Sequence, residues 1–115
     1  MEREVLFRGK QKTWIYGGFH KVKDGTCYIH TDHETFEVDP KSVGEYSGSQ
    51  DIHGKKIFEG DFYSPGNIVE FSYGSFNING DLPLNAICSK IKIIGNVYDL
   101  KKKNGRTTKV SKQTA

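Results

Sequence analysis

The sequence predicts a mainly β domain, a small barrel-like arrangement of antiparallel sheets with at most one short helical turn. Three observations carry that reading. Thirteen glycines in 115 residues imply many tight turns, which favours short strands over long helices. No apolar period of 3.6 is sustained over three turns, so an amphipathic helix has no support. Turn signals such as Asp24-Gly25, Ser64-Pro65-Gly66-Asn67 and Asn79-Gly80 punctuate runs rich in β-branched and aromatic residues.

Taken in order, Val5-Leu6-Phe7 opens with a short apolar strand, and Trp14-Ile15-Tyr16 is an aromatic one ending in Gly17-Gly18. Phe19 to Lys23 and Thr26 to His30 flank Asp24-Gly25, which suits a two-residue type I′ hairpin. Thr35 to Val38 alternates polar and apolar residues as a half-buried strand does. Asp39-Pro40 supplies a cap and a first helical position for one turn ending by Gly44. Tyr46 to Gly54 is rich in Gly and Ser and reads as a loop with a tight turn at His53-Gly54. From Ile57 to Tyr63, alternation places Ile57, Glu59, Asp61 and Tyr63 on one face and Phe58, Gly60 and Phe62 on the other. Val69, Phe71 and Tyr73 share a face opposite Ile68, Glu70 and Ser72. Ile87 to Tyr98 is the most hydrophobic strand. After Leu100 little remains to bury, which predicts a single domain over residues 1–100 and a flexible basic tail over 101–115.

Charge sharpens this division. The formal net charge is +3, with 17 basic and 14 acidic residues. Six of the basic residues (Lys101, Lys102, Lys103, Arg106, Lys109 and Lys112) lie after Leu100, leaving eleven basic against 14 acidic before it, a net of −3. A general nucleic-acid-binding barrel carries positive charge on its folded surface, and this body is mildly acidic. Cys27 and Cys88 are too few for a disulfide framework and read as reduced thiols. No apolar stretch approaches the ~20 residues of a membrane span, and the charged opening Met1-Glu2-Arg3-Glu4 has no apolar run behind it. The expected location is the cytoplasm.

Candidate chemistry is sparse. Cys27, His30 and His33 have metal-like spacing, but residues three apart on a strand face opposite sides, and no second cluster completes a set of four ligands. Buried Cys27 and surface imidazoles are the favoured reading, with no metal and no cofactor expected. Glu59 and Asp61 are the only carboxylates placed for paired acid/base work. Without a nucleophile, a triad order or a phosphate loop, a structural role at a Gly60 bend is favoured over catalysis, and no enzymatic activity is expected. Phe58, Phe62, Tyr63, Phe71, Tyr73 and Phe76 offer either core or a stacking platform. Glu59, Asp61, Tyr63, Tyr73 and Phe76 form the candidate interaction surface. Lys101, Lys102, Lys103 and Arg106 are the candidate contacts to nucleic acid.

Three ordered segments resemble the YopX family of small bacteriophage and prophage proteins. Glu4-Val5-Leu6-Phe7-Arg8-Gly9-Lys10 followed by Trp14-Ile15-Tyr16-Gly17 is similar to its opening, I-x-F-R-(G/A)-K and W-x-Y-G. Val43-Gly44-Glu45-Tyr46-Ser47-Gly48 through Asp51-Ile52-His53-Gly54-Lys55-Lys56-Ile57-Phe58-Glu59-Gly60-Asp61 resembles the hallmark Q-(Y/F)-T-G-x-x-D-x-x-G-x-x-I-(Y/F)-E-G-D. Ile91-Lys92-Ile93-Ile94-Gly95-Asn96-Val97-Tyr98 resembles the closing V-I-G-N-I-Y. Departures are Ser47 for the usual Thr, Phe62-Tyr63 followed by a Pro-Gly turn, and Asp99-Leu100-Lys101 in place of N-P-E-L. The resemblance implies a phage or integrated-element origin and a β fold, and it supplies no activity or catalytic residue. Within the hallmark, Gly48, Gly54 and Gly60 sit where turns need positive φ or close backbone approach, and Asp51 can bond its own turn. The expected function is a phage accessory module that binds a host or phage protein, or a second copy of itself. The alternative is a nucleic-acid-binding barrel using its aromatics and the basic tail.

Overall fold

The computed structural model describes residues 5–101. It is mainly β, as composition predicts, but the strands form two open antiparallel sheets rather than a barrel. The first has the order β4-β3-β2-β1-β5-β6 and the second β10-β9-β8-β7-β11. The strands are β1 (Phe7–Lys10), β2 (Trp14–Lys21), β3 (Cys27–His30), β4 (Thr35–Val38), β5 (Gly44–Gln50), β6 (Lys56–Phe58), β7 (Asp61–Ser64), β8 (Asn67–Ser72), β9 (Ser75–Ile78), β10 (Leu82–Pro83) and β11 (Gly95–Asn96).

Several boundaries differ from the sequence reading. Gly17-Gly18 does not end a strand. β2 runs through to Lys21, and a Cβ on Gly17 would lie 2.1 Å from the His30 carbonyl, so glycine permits the close approach of β3. The β2–β3 turn is a three-residue loop rather than type I′. Gly25 N–H donates to Val22 O (2.9 Å) and Val22 N–H to Thr26 O (3.0 Å), and of the Asp24-Gly25 pair only Gly25 (φ 97°) is left-handed. The Asp24 side chain accepts from Thr26 N–H at 2.9 Å and closes the turn without visiting positive φ. Of the Gly/Ser-rich stretch read as a loop, the part up to Gln50 belongs to β5, paired to β1 on one side and β6 on the other, while the turn at His53-Gly54 forms as read, with Gly54 N–H donating to Asp51 O at 2.9 Å. Left-handed Gly48 (φ 87°) marks an irregular register there.

The helical content also exceeds a single turn. Asp39 does cap the 3-10 turn Pro40–Ser42, accepting from Lys41 N–H. Two further 3-10 turns, Leu84–Ala86 and Cys88–Lys90, replace the start of the hydrophobic strand expected from Ile87. Residues 91–94 are extended and outside the ladders, and a short helix covers 97–101.

There are two cores. Cys27, Ile29 and Val38, with Phe7, Ile15, Phe19 and Val43 against them, pack under the first sheet. Val69, Ile78, Leu84, Ile91 and Ile93 form the second together with Ile57, which β6 of the first sheet contributes. The chain passes from one sheet to the other at Glu59-Gly60, between β6 and β7. Gly60 (φ 94°) donates to Val69 O (2.8 Å) and accepts from Val97 N–H (2.9 Å). Because the chain turns there, the expected alternation from Ile57 to Tyr63 breaks, and Glu59 and Asp61 do not share a face.

Candidate functional site

Two constellations stand out, one joining the sheets and one projecting from them. The first is built on Arg8 of β1, a charged residue 6% exposed. Its Nη2 donates to Asp61 Oδ1 at 2.8 Å and to the Glu59 carbonyl at 3.4 Å. The guanidinium lies 4.6 Å from the Trp14 ring centroid and 4.9 Å from that of Phe58, stacked against both π-systems. Asp61 Oδ2 accepts from Phe58 N–H at 2.8 Å, so both carboxylate oxygens are committed. Burial pushes the Asp61 carboxyl above the usual aspartate range, although Arg8 and the Phe58 N–H pull the other way. The Arg8 Nε–H has no acceptor.

This geometry corrects the placement of Asp61 on an interaction surface. At 1% exposure it is part of a buried inter-sheet ion pair. Glu59 is exposed; partial desolvation, with the nearby Glu45 and Glu70 charges, raises its carboxyl pKa. It stands at a cavity of about 140 Å³ lined also by Arg8, Trp14, Lys41, Asn96 and Tyr98. The structure therefore does not bring Glu59 and Asp61 together as an acid/base pair. Ser42 lines the same cavity, but its hydroxyl donates to Asp39 O (2.6 Å) and accepts from Lys10 N–H (2.7 Å).

Two further aspartates pin distant segments. Asp51 bonds its own turn as expected, accepting from His53 N–H (2.8 Å) and Lys55 N–H (3.0 Å). Its other oxygen reaches Ile93 N–H at 2.9 Å. Burial raises the Asp51 carboxyl, but these three N–H groups and His53 outweigh it and leave the pKa lowered. Asp99 accepts from Lys10 Nζ (2.9 Å), Trp14 Nε1 (3.2 Å) and Asn96 Nδ2 (3.1 Å). Here too burial is overcome by the donors, and the carboxyl sits below its ordinary value.

The second constellation is the β8–β9 hairpin. Ser72 pairs with Ser75, and Tyr73 (φ 52°) and Gly74 (φ 81°) between them are both left-handed, the signature of a type I′ turn. Tyr73 is 100% exposed and Phe71 47% exposed. The Phe71 and Phe76 rings are 4.8 Å apart, a cross-strand aromatic pair at the end of the hairpin. Of the predicted surface residues, Tyr73 is fully available, while Phe76 and Tyr63 are half-buried against the second core.

The metal-like spacing does not converge. Cys27 is buried in the first core, while exposed His30 bonds Thr35 through Nδ1 at 2.8 Å. Among the described residues no group of three or more His, Cys, Asp or Glu could hold a metal. Both cysteines are free. Lys101, helical and exposed, is the last of the described residues; Lys102, Lys103 and Arg106 lie outside them. Among the described residues no helix is long and apolar enough to cross a membrane.

Sequence reasoning missed the Arg8–Asp61 pair and the Asp99 cluster. The one local signal was an arginine set between apolar residues in a strand, and its partner 53 positions away is chosen by topology. Compared with models of protein families, with curated proteins and with solved structures, the chain has no significant match.

Proposed function

We propose that this protein is a non-catalytic protein-interaction module that engages its partner through the tip of the β8–β9 hairpin. The observation that carries the reading is Tyr73, fully exposed in a left-handed turn position. Asn is far better suited than Tyr to that backbone, and the ring contributes nothing to either core. An aromatic with no role in turn or packing, beside a half-exposed Phe71, has the composition of an interface anchor. The resemblance to small phage and prophage proteins suggests an accessory role in a bacterial host, with a host or phage protein as partner.

The alternative is sequence-independent nucleic-acid binding, with Lys101, Lys102, Lys103 and Arg106 supplying the charge. Its support is the helix over 97–101, anchored by Asp99 to β1 and β2, which fixes the point where the basic segment begins. Fluorescence anisotropy with random-sequence DNA and RNA at two salt concentrations separates the two. The full chain is compared with a variant in which those four residues are Gln. Binding by the variant that weakens with salt puts a nucleic-acid site on the body and overturns the proposal. Affinity capture from bacterial lysate then compares the parent with Tyr73→Asn. The proposal expects a captured protein that the variant loses; identical capture by both removes the hairpin tip as the site.

A further inference from the structure

We propose that His20 and His30 form a binding site for a divalent transition-metal ion, Zn²⁺ or one of its neighbours, on the exposed face of the first sheet. This site is independent of the hairpin tip and of the partner engaged there. The β2–β3 register carries it. His20 lies opposite Tyr28 and His30 opposite Gly18, so the two histidines are diagonal neighbours on one face of adjacent strands. Both are exposed, and their ring centroids are 5.8 Å apart, with the ring planes at 59°. In a tetrahedral ion with metal–nitrogen bonds of about 2.0–2.1 Å, the centroids of two ligating imidazoles stand about 5 Å apart. Rotation about exposed side-chain torsions closes the remaining difference without moving a strand.

The neighbours of the pair suit a ligating role. His30 faces Thr35 across β3 and β4, and its Nδ1 lies 2.8 Å from the Thr35 hydroxyl oxygen. With Nδ1–H donating to that oxygen, Nε2 keeps its lone pair, the tautomer and ring orientation that a metal requires. Gly18, opposite His30, has no side chain to crowd the ring. Even a Cβ there would meet nothing within 4 Å, so an ion and its waters have room. The His20 ring makes no hydrogen bond among the described residues, and its lone pair is open. Two imidazoles leave two positions of a four-coordinate ion to water, the open arrangement that distinguishes such a site from a closed structural one. Imidazole selects Zn²⁺, Ni²⁺ and Cu²⁺ over Mg²⁺ and Ca²⁺, which take oxygen ligands. Strand pairing thus gives His30 a partner that the local spacing from Cys27 does not, since Cys27 is buried in the first core.

Titration of the full-length protein with ZnCl₂ tests the site, read by isothermal calorimetry and by the rise of melting temperature with zinc concentration. Every protein in the series carries Cys88→Ser, which removes a free, half-buried thiol as a competing soft ligand. His20→Gln and His30→Gln each remove one ligand from an exposed position, and melts in EDTA establish that both variants fold as the parent does. The expected result is one Zn²⁺ per chain, with no competition from Mg²⁺. Either substitution weakens zinc by at least the tenfold that losing an outer-shell partner of a metal ligand causes, while His33→Gln leaves it unchanged. Zinc affinity that is equal in the parent and in His20→Gln/His30→Gln places the ion elsewhere and overturns the proposal, as does the absence of binding. Equal losses in His30→Gln and His33→Gln, with none in His20→Gln, move the ion to the β3–β4 turn and overturn it as well.

Discussion

Gly60 and Tyr73 occupy the same unusual region of backbone space for different reasons. Gly60 sits where the chain changes sheets, and both its backbone groups bond across the junction, so its φ of 94° cannot relax. A Cβ placed there would meet nothing nearer than Val97 Cγ2 at 3.6 Å. Strain, rather than crowding, is therefore the obstacle to a side chain. Gly60→Val is expected to destabilise by about 1–3 kcal/mol, a fall of several degrees in melting temperature. Gly18→Val is the control, since φ there is not left-handed and a Cβ would meet nothing within 4 Å. Equal melting temperatures for the two variants would remove the argument. Tyr73 is not tied in this way. Its turn is open to solvent, and the strain it carries is unrelated to any core contact.

The short helix over 97–101 shows how an element this small is held. Asn96 Oδ1 accepts from Asp99 N–H at 2.9 Å, an N-cap bond that satisfies one free amide of the first turn. Trp14 meets the Tyr98 ring edge-on at 5.8 Å and 77°, and the Tyr98 hydroxyl donates to Asp39 Oδ2 at 2.6 Å. That bond, then burial and the Asp39 and Asp99 charges, pushes the Tyr98 pKa up to about 12. The unfolded-state value is about 10. The neutral phenol is thus favoured by folding, and its contribution is fully present below about pH 10 and lost as pH rises through 12. Tyr98 is only half-buried, so screening by solvent limits the loss to about 1 kcal/mol. Urea melts of the parent and Tyr98→Phe should differ most near pH 8 and converge above pH 12. A difference that stays constant across that range means the hydrogen bond does not hold the helix.

Across the whole molecule, what the sequence made legible is what is encoded locally. Pro65-Gly66 and Asn79-Gly80 mark real turns, Asp39 caps a real 3-10 turn, and Asp51 closes its own. The β class follows from these. The two-sheet arrangement does not, because the β6–β7 junction looks like continuous alternation until Gly60 takes positive φ. Nor does the joint between the sheets, since the Arg8–Asp61 pair is a product of topology. The two cores are separate clusters, although β6 of the first sheet lends Ile57 to the second, and Arg8 of the first sheet is bound to Asp61 of the second with exposures of 7% and 2% for their side chains. Removing one partner strands a buried charge and costs about 3–5 kcal/mol, whereas replacing both by apolar residues is often neutral. If the pair is the joint, Asp61→Asn should uncouple the sheets as well as weaken them. Native-state hydrogen exchange would show it. In the parent, the slowest amides of β3 and of β8 should share one opening free energy. In Asp61→Asn they should separate by more than about 1 kcal/mol, because either sheet can then open while the other stays folded. Arg8→Leu/Asp61→Leu should bring the two values back together by restoring contact without charge. Amides that fall in step in Asp61→Asn would mean that the two cores form one cooperative unit through other contacts. The turn at Gly60 and the Asp51 tether to Ile93 would then be the next places to look for the joint.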